Sequence, residues 1–577
     1  MSKQDSNGLI IGMKISLLIL FIYFTNAGFS PRLQFLVETN NTVTIIVFFI
    51  LWILSIMTIL IAAFQQNWLV RFFWATIIGI VTGVSYGFYT AGGTELEVLD
   101  ALELWQARHE SARAVEFFLH ALIKAGFVAL IGFIIIILPV NISKINQRLY
   151  LKYLMWVPLI PISLFIVLIF IKSDRAIAGL PQQFVPLSIA GAISYKLSTT
   201  ELPKRDVVSS GPESTPKMRN LVYLVDESIN PDYLYESKGK LLKGFADNIS
   251  KISNYGVAVS GSNCSARSNA ILRLGATRDN LIEMIRTSPT IWQYAKKAGF
   301  RTVFIDAQDS SKVATKPNDF QNYMTNAEAA YIDKFYKIKN IDAPELDFKL
   351  LEILKAELDN NSPTFVYANK NGAHFPYHNN YPESEAIYQP VAGVTTSNGI
   401  GGLADLYEDS GMTGVLNSYR NSLYWTVDKF FRKLFNEINL DDTVVIYTSD
   451  HGQYFEQHST THCTSGDGAP ATEGLVPLML MTNKSELKSV FNSAAIANYN
   501  QVDQFSIFPT LLDLMGYSEK TKKAYGTDLL STKINRIDAE TAFNTGDIMG
   551  IFSKDTIWRT VTQDEKIKSM PNIPAKP

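Results

Sequence analysis

The sequence predicts a five-helix membrane domain followed by an α/β domain outside the cytoplasm, built on a mostly parallel central sheet. Three observations predict this. Five apolar runs crowd into the first third of the 577-residue chain. The loops between them alternate in charge. Beyond residue 219 the pattern changes to short β-prone runs separated by helical stretches.

The apolar runs are Leu9–Phe29, Val43–Phe64, Phe72–Tyr89, Phe118–Val140 and Tyr153–Ile171. Each is close to the ~20 residues that cross a bilayer. The second and third carry no charge, and the fourth holds His120 and Lys124 near its start, where a lysine can snorkel. A cleaved signal peptide is disfavoured for the first run, because four more runs follow it. Orientation follows from short-loop charge. "NISKINQRLYLK" holds Lys144, Arg148 and Lys152 and no acid, and the loop between runs two and three ends at Arg71. With Lys3 and Lys14, these define the cytoplasmic side. Residues 91–116 carry six acids against two arginines and belong outside. Within that loop, Thr94 and Glu97 have capping-box spacing. Leu96, Leu99, Leu102 and Trp105 recur at helical spacing, which predicts an amphipathic helix near residues 94–116. It would lie on the outer membrane face or pack on the soluble domain.

Five spans with the N-terminus inside place everything after about Lys172 outside the cytoplasm. The predicted domains are therefore 1–172 in the membrane, a linker at 173–218 containing "STTELPKRDVVSSGPESTPK", and a catalytic-type domain at 219–577. Helical pieces are expected between Val185 and Leu197. The composition is 47% hydrophobic and 18% charged, with a net charge of −2, which gives no reason to expect a nucleic-acid partner. Two cysteines, Cys264 and Cys463, are too few for a Cys/His structural zinc site.

In the soluble part, "NLVYLV" (220–225), "TVFI" (302–305), "TFVYA" (364–368), "TVVIYT" (443–448) and "LVPLMLM" (475–481) read as strands. Ile291–Ala298, Leu346–Leu358 and Gly414–Asn436 read as helices between them. Buried runs of this length alternating with helices predict a mostly parallel sheet. Ligands bind such sheets beyond the carboxyl ends of the strands, so residues that follow strands deserve the closest reading. Glu227 follows the first run, His374 the third, and Asp450 with His451 the fourth. A carboxylate and an imidazole suit a divalent cation, zinc above all, and Gly452 lets the backbone approach closely. His374, His378, His451, His458 and His462 all fall in loops after predicted strands. A cation with hydroxyls nearby points to an activated alkoxide nucleophile. "NCSARSNAI" (263–271) offers three candidates side by side, Cys264, Ser265 and Ser268, and their residue types alone do not separate them.

The constellation resembles the phosphoethanolamine transferases of Gram-negative envelopes, within the alkaline phosphatase/sulfatase superfamily. The resemblance spans the whole chain and rests on motifs in register. These are "VDES" with Glu227, "NGAHFPYHNNYP" with His374, "SDHGQYF" with Asp450 and His451, "HCTSGDGAPATEGLVPLML" with His462, and "SIFPTLLDLMGY" (506–517). It implies an alkaline-phosphatase-like periplasmic domain anchored in the bacterial inner membrane. It also implies metal ligation by Glu227, Ser268, Asp450 and His451, with His374 and His462 contacting substrate. The nucleophile in this family is a threonine four residues after a cysteine. Counting four from Cys264 selects Ser268 as nucleophile and leaves Ser265 a loop residue. Cys264 and Cys463 flank that nucleophile and His462 in what would be an oxidising periplasm, so a Cys264–Cys463 disulfide is expected. The implied cofactor is Zn2+, as one ion or two. The implied donor is phosphatidylethanolamine, and the implied acceptor is lipid A, a lipopolysaccharide core sugar or another envelope glycan, with the enzyme acting as a monomer. The chain departs from the family in having only two cysteines and "INPDYLYESKG" (229–239) where relatives continue with arginines. Alternatives are phosphoglycerol transfer, often with Mn2+, a sulfatase-like phosphodiesterase, or a degenerate, non-enzymatic member. A formylglycine sulfatase is disfavoured because "CSARS" has alanine where that maturation motif needs proline.

Overall fold

The computed structural model describes residues 3–106, 118–140, 154–172, 174–200, 203–236, 239–308, 322–392, 403–455, 460–532, 541–553 and 555–574, with residues 108, 115 and 576 standing singly between them. The first third is helical: α1 (Lys3–Phe24), α2 (Phe29–Glu38), α3 (Thr42–Ala63), α4 (Trp68–Gly92), α5 (Val98–Gln106), α6 (Leu119–Ile137), α7 (Leu159–Lys172) and α8 (Val185–Thr199). Among the described residues, α3, α4 and α6 are long and apolar enough to cross a membrane. A fourth span arises if α1 and α2, bent by 64° across a short break, count as one. The expectation of five spans is thus met only in part. The fifth run forms a helix of 14 residues, about 21 Å at ~1.5 Å per residue, against the ~30 Å of a hydrocarbon core. The basic loop 141–152 lies outside the described residues.

Close helix approach holds this bundle together. Gly79, Gly83 and Gly87 line the face of α4 turned to α6, where a Cβ would come within 2.7 Å of the Ala129 and Ala125 carbonyls and 2.8 Å of the Ala125 methyl. Small residues at intervals of four permit such contact in lipid, where packing rather than the hydrophobic effect drives association. At one end of the bundle Lys14 is buried and donates to the carbonyls of Ala63, Ile136 and Leu138, at the C-terminal ends of α3 and α6. Arg71 does the same for Gln65 and Ile137. These basic residues therefore gather at one end, as the loop-charge reading expects, but they serve as caps for orphan carbonyls. The expected helical piece near residue 185 is α8, which packs on α7 and buries Val185, Ile189 and Ala192 in the membrane-helix cluster.

The helix expected from residue 94 starts later, at Val98. Asp100 Oδ2 accepts from the Glu97 amide at 2.8 Å, so Thr94 does not cap it. Leu96, Leu99 and Leu102 are buried among the membrane helices, whereas Trp105 is exposed beneath the Arg108 guanidinium. Residues 107, 109–114, 116 and 117 lie outside the described residues.

The α/β domain carries an eight-stranded sheet among the described residues. Its strands are β1 (Asn220–Asp226), β2 (Ile252–Val259), β3 (Arg301–Asp306), β4 (Lys334–Lys337), β5 (Thr364–Asn369), β6 (Thr443–Ser449), β7 (Leu475–Met481) and β8 (Val502–Asp503). The order is β8-β2-β7-β6-β1-β5-β3-β4. All pairings are parallel except those of β7 with β2 and β6. Every expected strand is present within a residue. Strands β2, β4 and β8 are not among the expected runs; in β2, "ISNYGVAV" carries polar Ser253 and Asn254 near its start and is interrupted by Gly256. In β1, Val222 and Leu224 face one apolar cluster, while Leu221, Tyr223 and Val225 face the other. Both faces are covered, as a central parallel strand requires. The helix expected over 414–436 runs as Leu403–Leu423, a wider turn at Tyr424–Lys429, and Phe430–Glu437.

Candidate metal and nucleophile site

Strands β1 and β6 are parallel neighbours with Asp226 opposite Ser449. The residues that follow them therefore leave the sheet at the same level. Glu227 emerges from one, and Asp450 and His451 from the other. The turn is fixed by the Asp450 amide donating to the Asp226 carbonyl at 2.9 Å and the Ser228 amide donating to Asp450 Oδ1 at 3.1 Å. A Cβ on Gly452 would stand 2.1 Å from the Thr472 carbonyl oxygen, so only glycine lets the chain pass there.

Glu227, Asp450 and His451 are buried, and one ligand atom from each lies within 4.8 Å of the others. His451 Nε2 is 3.3 Å from Glu227 Oε1 and 3.7 Å from Asp450 Oδ2. His451 Nδ1 pairs with the Gly452 carbonyl at 2.7 Å, which turns Nε2 toward the carboxylates. Asp450 Oδ2 is buried without a hydrogen-bond partner. An orphaned carboxylate oxygen beside a second carboxylate and an imidazole nitrogen fits a divalent cation of the zinc type. The electrostatics agree. Burial, and then the charge of Glu227, push the Asp450 carboxyl well above the usual range. Burial also acts to raise Glu227, but hydrogen bonding and charge from His451 hold it well below. Burial lowers His451, yet Asp450 and Glu227 outweigh it and raise the ring to about 9.

The hydroxyl brought to this cluster is Ser265. Its Oγ lies 3.0 Å from His451 Nε2 and 3.2 and 3.3 Å from the two Glu227 oxygens. Ser265 opens helix α9 (Ser265–Leu274), with Cys264 as the residue before it. The helix N-terminus thus faces the donors and favours an anion there. Ser268 stands one turn further along α9, fully buried, and donates to the Ser262 carbonyl at 2.7 Å. This corrects the expected placement of Ser268 among these donors: the hydroxyl that the structure brings to them is that of Ser265. Counting back four from Ser265 reaches Gly261, so a count of four from Cys264 falls three residues beyond the hydroxyl that meets the donors.

The two expected substrate-contacting histidines flank the donors. The His462 ring stacks on His451 with centroids 4.8 Å apart, and His374 lies close enough to Glu227 to help hold that carboxyl down. His378 sits in the turn Tyr377–Asn380, and His458 lies outside the described residues. Cys264 and Cys463 form the expected disulfide. It joins the residue before Ser265 to the residue after His462. Glu473 braces the same junction by accepting from the Asn263 side chain and the Thr464 amide and hydroxyl.

Sequence reasoning missed the layer behind the donors. Asp226 accepts from the Glu227 amide at 3.1 Å, from Lys370 Nζ at 2.6 Å and from Tyr447 at 3.1 Å. Burial raises Asp226 to about 6 against the pull of Lys370. Gln308 donates to Glu227 Oε2 at 2.8 Å and to the Lys370 carbonyl. The available signal was a polar or charged residue at the carboxyl end of each of these strands.

The sulfatase family profile matches residues 219–517, just over half of the chain. The chain belongs to the sulfatase family. Beyond that match, this sulfatase-family chain is 25% identical over 192 residues to the Kdo(2)-lipid A phosphoethanolamine 7''-transferase of Escherichia coli (strain K12). It is 25% identical over 184 residues to the enzyme of the same name from Salmonella typhimurium (strain LT2). These alignments cover 31% and 30% of those relatives, so the chain matches less than a third of their length. Its structure is similar to the integral membrane protein lipooligosaccharide phosphoethanolamine transferase A from Neisseria meningitidis, with a TM-score of 0.61 at 16% identity. That likeness covers 89% of this chain and 98% of the other, and it establishes a shared fold from membrane helices to α/β domain.

Proposed function

We propose that this sulfatase-family protein transfers phosphoethanolamine from phosphatidylethanolamine to an envelope glycolipid, lipid A or a lipopolysaccharide core sugar, through a covalent phospho-Ser265 intermediate. The observation that carries the reading is the Ser265 hydroxyl, 3.0 Å from His451 Nε2 and beside Glu227, at a helix N-terminus on a membrane-tethered domain. The names borne by its relatives supply the transferred group and the class of acceptor.

Glu227, Asp450, His451 and Ser265 would hold the ion. A zinc ion bound there lowers the pKa of the hydroxyl and offsets charge on the phosphoryl oxygens. Ser265 Oγ then attacks phosphorus, the bond from phosphorus to the glycerol oxygen breaks, and diacylglycerol leaves. In the second step an acceptor oxygen attacks the same phosphorus and Ser265 Oγ departs. His374 and His462 stand beside the donors, placed to hydrogen-bond phosphoryl oxygens and to pass protons to the leaving oxygen. Anchoring by the N-terminal apolar helices would hold this domain in the periplasm beside the donor headgroup, where tethering raises the effective concentration of lipid. A formylglycine mechanism is disfavoured because the Cys264 thiol is held in a disulfide.

The test is to incubate the full-length protein in detergent with headgroup-labelled phosphatidylethanolamine or phosphatidylglycerol and follow diacylglycerol. Release from phosphatidylethanolamine with label on a Ser265 peptide supports the reading. Release from phosphatidylglycerol alone transfers the assignment to phosphoglycerol. Comparing lipid A and core mass spectra with and without the gene identifies the acceptor.

A further inference from the structure

Arg267 is 1% exposed and lies two residues after Ser265, in the first turn of α9. Its guanidinium donates to the Gly546 carbonyl at 3.0 Å. Its Nε lies 3.4 Å from Glu103 Oε1 and has no hydrogen-bond partner. A buried guanidinium needs a counter-charge, and removing that charge leaves it uncompensated. The ion-pair partner comes from outside the α/β domain. Glu103 belongs to α5, in the loop between two membrane helices, and Leu99 and Leu102 of that helix are buried among membrane-helix side chains.

A second contact reaches the same place. Asp547 accepts from the amides of Met549, Ile551 and Phe552 and folds that segment into a tight loop. Phe552 packs against the membrane-helix cluster, while the carbonyl of Asn544, just upstream, accepts from Ser262 Oγ at 2.6 Å. The residues on both sides of Ser265 are thus gripped by elements that touch the membrane domain.

We propose that Glu103 is a positioning residue: through Arg267 it fixes the first turn of α9, and with it Ser265, so that the membrane domain sets the orientation of the nucleophile. The proposal rests on the reading of Ser265 given above. It makes the membrane helices part of the catalytic apparatus as well as an anchor, since a shift of α5 moves the nucleophile relative to the lipid that must reach it.

The test compares full-length wild type, Glu103→Gln, Arg267→Glu and the charge swap Glu103→Arg/Arg267→Glu, with Ser265→Ala as control. Turnover of labelled phosphatidylethanolamine and hydrogen exchange of the amides of residues 265–268 are both measured. Glu103→Gln should lower kcat about tenfold, the size of coupling seen between contacting residues, with KM and bound metal unchanged and exchange in that turn faster. The swap should recover most of what Arg267→Glu loses, which a general loss of packing would not allow. Wild-type kcat and exchange in Glu103→Gln, or a swap no faster than Arg267→Glu, overturns the proposal. If Ser265→Ala turns over like wild type, the nucleophile assignment fails, while the exchange measurement still decides whether Glu103 holds the turn.

Discussion

Ser265 and Ser268 lie on one helix, three residues apart, and their removal should have opposite consequences. Ser265→Ala deletes the oxygen that lies 3.0 Å from His451 Nε2 and 3.2 Å from Glu227. No other hydroxyl of α9 can replace it, because the Ser268 side chain points away to the Ser262 carbonyl. Loss of a nucleophile should cost at least about 10^4-fold in kcat, ~5.5 kcal/mol in the barrier. Ser268→Ala deletes one buried hydrogen bond, a loss of about 1 kcal/mol in stability. That figure belongs at the low end of its range, because the Ser262 carbonyl keeps a second donor in Ser260 Oγ at 2.6 Å. Activity of Ser268→Ala should stay within a few fold of wild type, by the usual effect of a mild substitution away from reacting atoms. Ser265→Thr retains a hydroxyl at the same position, and Ser265 is only partly buried, so this variant should keep measurable turnover. The assay is diacylglycerol release by the full-length protein, with mass mapping of the phosphoethanolamine adduct. An adduct on Ser268, or Ser265→Ala within tenfold of wild type, refutes the geometry-based assignment.

Three further outcomes are expected. Asp450→Asn should lower metal affinity by at least about 10-fold, measured by competition with a chromogenic chelator, because it replaces a buried carboxylate oxygen of the donor cluster that has no hydrogen-bond partner in the protein. Replacing Cys264 and Cys463 with serine opens a link between residues 199 positions apart. In the chain-entropy account this costs up to about 5 kcal/mol, and the melting temperature and kcat should fall together, since Ser265 and His462 both adjoin the bridge. Lys566 is 3% exposed, donates to the Asn500 carbonyl, and is lowered to about 8 by burial. Because its folded pKa lies below the unfolded value, folding disfavours the charged form at neutral pH. Wild-type stability should therefore rise as pH climbs from about 8 toward the unfolded lysine value of about 10.4. Lys566→Met should raise the melting temperature at pH 7 and abolish that part of the pH dependence, as followed by differential scanning fluorimetry.

The candidate metal donors were legible because the chemistry sits where the sheet ends. A carboxylate after "NLVYLV" and an Asp-His pair after "TVVIYT" announce ligands at strand termini, and the parallel pairing of β1 with β6 is all that is needed to bring them together. Strand patterns fix such positions to within a residue, since a slip of one would turn every side chain to the opposite face. The proposed nucleophile obeys a different rule. Its position depends on where a helix begins, and helix starts are set by capping and tertiary contacts rather than by apolar period. "NCSARSNAI" has no apolar stripe over its first turn, so the cysteine is the only landmark, and a count of four from it reaches Ser268 rather than the hydroxyl that meets the donors. Here the cysteine stands immediately before the proposed nucleophile, its disulfide ties α9 to the His462 loop, and Gly261 occupies the place four residues back. The same reasoning explains why Glu103 was invisible as a partner. On the helical spacing of its own segment it reads as one solvated acid among the six of an external loop. Only the folded chain shows that the acid faces a buried guanidinium. A contact between two domains leaves no periodic trace in either of them, so the pairing of Glu103 with Arg267 can be read only from the folded chain.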